Sequence, residues 1–435
     1  MILPGYVLTC VDALEHAGFS AYAVGGCVRD SLLGLTPADY DLCTDATPEQ
    51  MHRVFEGFSL VTSGEKHGTV GVILEHQVVE ITTFRTEGDY ADSRHPDWVR
   101  FVSHIQEDLS RRDFTVNAMA LTTEGEVIDP FGGQDDLKKN ILRAVGDPET
   151  RFREDALRIL RGVRFSVRYG LTPDPATAEA MESLAILTNH LARERVFDEL
   201  CKLLLAVSVE DLLRYQPILT RVLPELAPAV DFCQHSRHHR YDVYTHTAHA
   251  VAAAPADLAV RWAALLHDTG KVETFSVDES GHGHFYGHAK KSAQLADAAL
   301  LRLKAPTALR ERVTLLIEHH MTEFAPEHKL LRRRLSRFGL EAVRQMIALQ
   351  KADDSSKGVD DRSSEFAEIE RVLEEVLAEN ACLRVADLAV NGHDLMALGY
   401  SGKAIGKELD RLLELVLDEA VPNEKQALLV AAQLR

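Results

Sequence analysis

Strand patterning in this chain stops at Leu142, and that break limits the folds open to it. Before the break, apolar runs recur: AYAVGG at 21–26, TVGVILE at 69–75, QVVEITTF at 77–84, AMALTT at 118–123 and EVIDPF at 126–131. Turns rich in Gly, Asp and Pro separate them, which is how short strands are punctuated. One or two helices lie among them, including one at the N-terminus. From about residue 151 onward, Leu and Ala recur at helical spacing with few β-branched runs. The pattern predicts an α+β protein: an N-terminal head built on a mixed sheet, followed by an all-α body.

With 435 residues, 46% hydrophobic and 26% charged, the chain has ordinary globular composition and room for two to four domains. The chemistry along it suggests boundaries at 1–142 (head), 143–230 (Arg-rich helical neck and body), 231–355 (His-rich) and 356–435 (acidic, Leu-rich helical tail). The stretch DDSSKGVDDRSSEF at 353–366 reads as the best linker. No run of about 18 apolar residues is present to span a bilayer. The opening segment lacks a basic start, and Asp12 and Glu15 interrupt its apolar residues, so it reads as an amphipathic helix and not a signal peptide. Cys10, Cys27, Cys43, Cys201, Cys233 and Cys382 are scattered and form no CxxC pair, as expected of reduced thiols in a cytoplasmic protein. A formal net charge of −19 argues against indiscriminate nucleic-acid binding, yet permits a local basic groove. Arginines at 151–168 and 332–337 are the candidates to line one.

Gly25 and Gly26 follow a short strand and precede a helix start. Glycines there let the backbone approach a phosphate at a helix N-terminus, and Arg29 offers a cation for a triphosphate. Asp39 and Asp41 are one residue apart, so on a strand both carboxylates face the same way. Two such groups repel unless a divalent cation lies between them. Glu80, inside the apolar run VVEITT, is the third acid; its alternative is an outward-facing strand residue. A lone GG or DxD is common by chance. Their ordered occurrence with Arg29-Asp30 is far rarer.

The combination GGxVRD followed by DxD resembles the tRNA nucleotidyltransferase and poly(A) polymerase group of polymerase-β-like nucleotidyltransferases. The resemblance continues through DLSRRDFTVNAMA at 108–120, DPFGG at 129–133 and EDALRILRGVRF at 154–165. It implies a nucleotidyltransferase head in which Asp39 and Asp41 hold Mg²⁺, and Glu80 stands beside them as a further catalytic candidate. It also implies that Gly26, Arg29 and Arg112 hold the triphosphate, with Asp113 and Asn117 as further nucleotide contacts. Asp155, Arg158, Arg161 and Arg164 are spaced by three, which on a helix lines them along one side. A neighbouring carboxylate and guanidinium can read the amine donor and ring acceptor that cytosine and adenine share. The resemblance assigns that reading to Asp155 and Arg158, with Arg161 and Arg164 contacting phosphate or shaping the pocket. The alternative for this helix is a solvated ion-pair face. The polar loop 86–97 is implied to take part in switching from C to A addition. The expected partners are therefore the tRNA 3′ end, CTP and ATP. KHGTV at 66–70, and the lack of a long basic C-terminal extension, favour CCA addition over poly(A) synthesis or a partial CC- or A-adding enzyme.

A second constellation lies in the body. His246, His267-Asp268, His288, His319-His320 and Asp353 occur in order around LLHDTGK at 265–271 and GHFYGH at 283–288. Adjacent His and Asp can share a metal that distant residues complete. The order resembles HD metal-dependent phosphohydrolases. The implied ligands are His246, His267, Asp268 and Asp353 for a divalent metal of unspecified identity, with His288, His319 and His320 as additional ligands of binuclear members. His235, His238 and His239 read as merely solvated. The rivals to nucleotide addition are an HD phosphohydrolase with an inactive head and a non-catalytic RNA-binding protein. In the tail, Gly402, Lys403, Gly406 and Lys407 suit a phosphate backbone, and the resemblance implies support of the tRNA elbow. A glycine-punctuated helix pair explains the same residues.

Overall fold

The computed structural model describes residues 3–87, 99–235, 240–357, 362–379 and 381–434. It divides into two compact units, Met1–Val207 with Arg214–Pro224, and Ser208–Leu213 with Glu225–Arg435.

The first unit is built on a seven-stranded sheet. In chain order its strands are β1 (Ala21–Val24), β2 (Asp41–Thr44), β3 (Ser59–Val61), β4 (Thr69–Leu74) and β5 (Gln77–Thr83), and then β8 (Ala120–Leu121) and β9 (Val127–Ile128). Between them, β6 (Arg85–Glu87) and β7 (Val99–Phe101) form a separate ribbon. The spatial order is β3-β4-β5-β2-β1-β8-β9. Only β2 and β5 run parallel; the other neighbours are antiparallel. The sheet is therefore mixed, as the sequence pattern predicts. Period-two alternation explains its burial. Val79 and Ile81 of β5 point into the core, while Val78 and Glu80 are exposed on the other face. The N-terminal helix forms over Gly5–His16 and buries Val7, Cys10, Val11 and Leu14. The AMALTT and EVIDPF runs yield two-residue strands only, because a 3₁₀ turn at Thr115–Asn117 precedes the first and Gly125, at φ 86°, turns the chain between them.

After the sheet the unit becomes helical. Asp147 caps the helix Pro148–Glu154 by accepting from Thr150 N, and Pro148 stands where its missing N–H costs nothing. The helix Leu157–Tyr169 comes next, with Ile159, Leu160 and Val163 buried. The second unit is almost wholly helical. Among the described residues, no helix is long and apolar enough to cross a membrane.

The expected linker at 353–366 is corrected. Asp353–Lys357 complete the helix Leu340–Lys357, and Ser363 begins the helix Ser363–Ala378. Polar composition suggested a break, but Asp353, Asp354 and Ser356 are buried, and Ser356 bonds the His246 ring. Residues 88–98, which hold most of the expected 86–97 loop, lie outside the described residues, as do His238 and His239. Exposed His235 rests its ring on Phe275.

Candidate active site

The parallel register of β2 and β5 sets Asp41 opposite Glu80. Neighbouring strands lie about 4.8 Å apart and registered residues share a face, so two carboxylates are juxtaposed by the backbone itself. Gly71 is registered against Glu80 on its other side and adds no side chain to the floor. A Cβ there would meet Val78 at 3.0 Å and Val61 at 3.1 Å. Asp39 is corrected in one respect: it precedes β2 instead of sharing the strand. It reaches the same cleft, a cavity of about 840 Å³ that Asp39, Asp41 and Glu80 line together. Desolvation within the cleft, then the charges of Asp39 and Glu80, push the Asp41 carboxyl up to about 6 against the pull of Arg112. Three oxygen-donor groups gathered in one cleft suit a hard divalent cation.

Above this floor the chain turns at Gly25, whose φ of 75° favours glycine. A Cβ at Gly25 would stand 2.7 Å from Arg112 Nη1, so the guanidinium lies directly on the glycine turn. Asp108, fully buried, holds both arginines of the RRD motif: Arg111 Nη2 at 2.8 Å and Arg112 Nη2 at 3.3 Å. Burial works to raise the Asp108 carboxyl, but the two guanidinium charges outweigh it and hold it below the usual range. The RRD motif leads into the single 3₁₀ turn at Thr115–Asn117, not into a longer helix.

Arg29 is engaged within the protein. It lines the cleft but is only 5% exposed. Its N–H groups donate to Asp30, Asn117 and the Tyr169 hydroxyl, and it lies over the Tyr169 ring at 4.1 Å. Its Nη2 stands 3.6 Å from where a Cβ of Gly26 would be, so it sits against the glycine turn. Asp113 accepts from Asn117 Nδ2 at 3.0 Å and from Arg161 Nε at 2.7 Å.

Asp155 is not on the arginine helix. It is an extended residue, φ −140°, between the two helices, and its Oδ1 accepts from Leu157 N. Arg158, Arg161 and Arg164 do lie on the helix Leu157–Tyr169. Both proposed base readers are engaged internally. Asp155 Oδ2 pairs with Arg195 Nη2 at 2.9 Å. Arg158 pairs with Glu154 at 2.7 Å and donates to Arg111 O at 3.0 Å. Arg164 is buried against Glu199. Sequence reasoning missed Arg195, Asp108 and Tyr169. The Arg193-Glu194-Arg195 cluster was a signal for the first; nothing local marked its partner.

Residues 21–143 match the family described as "Poly A polymerase head domain". Residues 170–230 match "Probable RNA and SrmB- binding site of polymerase A" and 284–432 match "tRNA nucleotidyltransferase domain 2 putative". A CCA-adding enzyme of Levilactobacillus brevis is 36% identical over 424 residues, covering 97% of this chain and 95% of the relative. The chain belongs to the CCA-adding enzyme family. The Bacillus subtilis CCA-adding enzyme is 48% identical over 197 residues, 45% of this chain and 49% of that one. The solved Bacillus stearothermophilus CCA-adding enzyme in complex with CTP superimposes with a TM-score of 0.70 at 28% identity, covering 98% of this chain and 96% of that one.

The second unit of this CCA-adding enzyme family member holds the other constellation. His246 lies on the helix Val243–Ala253, His267-Asp268 follow the helix Leu258–Leu266, and Asp353 lies on Leu340–Lys357. Their ligand atoms fall within 4.8 Å of one another. His246 Nε2 stands 2.9 Å from Asp353 and 3.3 Å from Asp268; His267 Nε2 stands 3.2 Å from Asp268. Asp268, His288 and His320 form a second such group. Four imidazoles share one arrangement. Nδ1 of His267, His288 and His320 donates to the carbonyls of Ala264, Phe285 and Ile317. Nδ1 of His246 meets the Ser356 hydroxyl, whose proton is committed to Asp353 O. Each Nε2 is thereby left with its lone pair facing inward, the orientation that metal-binding histidines need. Burial disfavours a charge on His267, but Asp268 and Asp353 outweigh it and hold the ring at about 10. Burial and the His267 charge lower His320 to about 4. A positive charge suits this centre, whether a proton or a metal ion carries it. His319 is corrected: its ring packs on Phe338 at 4.8 Å and joins neither group.

Proposed function

We propose that this chain adds C and then A to the 3′ end of tRNA, drawing on CTP and ATP and releasing pyrophosphate. The observation that carries the reading is the Asp41–Glu80 register, with Asp39 beside it, beneath the Gly25 turn and Arg112. Asp39, Asp41 and Glu80 are the residues to hold divalent cations, with Mg²⁺ the expected ion. Bound there, such cations favour loss of the proton from the RNA 3′-hydroxyl and offset charge on the phosphates. The hydroxyl oxygen forms a bond to the α-phosphorus, the α–β bridge breaks, and pyrophosphate departs. Arg112 and the Gly26 backbone hold the triphosphate, while Asp113 and Asn117 orient it through the network around Arg161. Asp155 and Arg158 read the base. An ionised carboxylate accepts several hydrogen bonds, so Asp155 can retain Arg195 and still take the exocyclic amine of cytosine or adenine.

The test uses tRNA lacking CCA, ending in C and ending in CC, each with labelled CTP or ATP. CTP should enter the first two and ATP only the third. ATP runs on any end would instead mark a poly(A) polymerase. Asp41→Ala should lose incorporation by a factor of 10³ or more with an unchanged circular-dichroism spectrum; near-normal incorporation would remove the metal role.

A second reading concerns the other unit, and the four inward-facing Nε2 atoms favour it. His246, His267, Asp268 and Asp353 suit a divalent metal, with His288 and His320 completing a second position beside Asp268. A metal held by these residues would activate a water and polarise the phosphate, so that the water oxygen could bond to phosphorus while the P–O ester bond broke and the proton passed to the leaving alcohol. Release of inorganic phosphate from p-nitrophenyl phosphate, lost in Asp268→Asn, is the measurement.

A further inference from the structure

We infer that the ring pair His284–Tyr286 is a stacking platform that selects phosphomonoesters carrying a nucleobase, an inference that rests on the hydrolase reading of the histidine site. A cavity of about 260 Å³ opens onto that site, with Asp268, His288, His320 and Asp353 among its lining. Two cations flank the carboxylates: Lys271 Nζ lies 2.7 Å from Asp268 and Lys357 Nζ 3.1 Å from Asp353. The same cavity is lined by Tyr286, 78% exposed, and Met321, 64% exposed. A charged lining and an uncovered apolar rim together suit a ligand with an anionic end and a flat apolar body.

The platform is built rather than loose. The His284 and Tyr286 rings lie nearly parallel, at 8°, with centroids 5.4 Å apart. His284 Nε2 is 2.8 Å from Asp278 Oδ2, and Asp278 is itself fixed by Ser280 Oγ at 2.6 Å and His282 N at 3.0 Å. The short ribbon of Ser276–Val277 and Gly283–His284 carries the His284 ring, and Tyr286 stands in the turn just after it. Gly283 presses on Gln234, where a Cβ would stand 2.4 Å from the backbone oxygen. Gln234 Oε1 in turn accepts from Lys271 Nζ at 2.8 Å. The rings are thus tied through Gln234 and Lys271 to the Asp268 carboxylate.

The spacing distinguishes the ligand. In phosphotyrosine the ring is one bond from the ester oxygen and falls at the metal ligands. In a nucleotide a ribose intervenes and carries the base to the rim, where base–aromatic stacking tolerates any base.

The experiment compares adenosine 3′-monophosphate with ribose 5-phosphate, which has the same charged end and no base, on the metal-loaded full chain. Tyr286→Ala should raise KM for the nucleotide about tenfold, leave kcat within about twofold, and leave ribose 5-phosphate unshifted; Tyr286→Phe should restore the nucleotide KM. An unchanged circular-dichroism spectrum and melting temperature check that each variant folds. Equilibrium dialysis of adenosine 3′-monophosphate in EDTA is the readout independent of hydrolysis. Binding that weakens in Tyr286→Ala and recovers in Tyr286→Phe supports the platform even where neither ester is cleaved, an outcome that removes the hydrolase reading alone. Equal KM changes for both esters, or dialysis binding indifferent to position 286, overturns the platform.

Discussion

Asp113 is 7% exposed and accepts from three groups: Phe114 N, Asn117 Nδ2 and Arg161 Nε. Burial tends to raise its carboxyl, but Arg161 and Asn117 outweigh burial and bring it down to about 2, from 3.8. A carboxylate depressed in the folded state stabilises the protein above its unfolded value and loses that contribution as pH falls through the folded one. The expected gap in denaturation free energy between the parent and Asp113→Asn is therefore full at pH 5–7. It should shrink below pH 4 and close near pH 2, with a size of about 2 kcal/mol at about 1.4 kcal/mol per pKa unit. Urea titrations across that range measure it, and a gap independent of pH would refute the assignment. The proposed base readers are other residues of the same cleft. Asp155→Ala combined with Arg158→Ala should admit UTP and GTP at rates within about tenfold of CTP, because a hydrogen-bonding pocket discriminates only while its polar groups demand partners. Unchanged discrimination in single-turnover incorporation would count against base reading. The carboxylates were legible in sequence because paired acids beside glycines are unusual. Arg195 was not, because its role depends on a partner 40 residues away.

Elements with a strong period were legible, and elements set by a long-range contact were not. The alternation in QVVEITT gave the strand; Glu80 lies on its exposed face, as the outward-facing alternative expects, and lines the cleft from there. Asp39 fell outside β2 because a strand ends where its ladder partners end, and β1 and β5 register only with Asp41–Thr44. The helix Leu340–Lys357 ran on through Asp and Ser because its last turn packs on the histidine site. The same close packing makes a prediction at Gly270. Its N–H donates to Ser292 Oγ at 2.8 Å. A Cβ there would stand 2.6 Å from Ser292 N and 2.8 Å from His288 O. Its backbone is ordinary αR, so alanine is excluded by the neighbouring helix alone. Gly270→Ala should displace the start of the helix His288–Arg302, costing about 1–3 kcal/mol and weakening metal binding about tenfold through the moved His288. Isothermal titration with Mn²⁺ reads this, and an unaltered affinity would mean that His288 takes no part.

On the scale of the whole molecule, charge is arranged against its own sum. The chain carries −19, yet Arg111, Arg112, Arg158, Arg161 and Arg168 all line one cleft in the first unit. A polyanion is thus offered a local basic region on a chain of acidic net charge. The second unit buries the opposite problem, two aspartates and four histidines around one point. A cation that binds only the folded state stabilises it by about 2.7 kcal/mol at a hundredfold excess over Kd. For a unit of about 200 residues each kcal/mol moves Tm by roughly 2–4 °C. Mn²⁺ or Zn²⁺ should therefore raise the melting temperature by roughly 5–10 °C, and EDTA should reverse the rise. Asp268→Asn should abolish it, because the one residue common to both ligand groups is altered. Asp41→Ala should keep most of it, since the carboxylates of the first unit are a separate set. Differential scanning calorimetry with and without cation distinguishes these cases. An equal rise in the parent and in Asp268→Asn would place the cation elsewhere and leave the histidine cluster a structural ion-pair network.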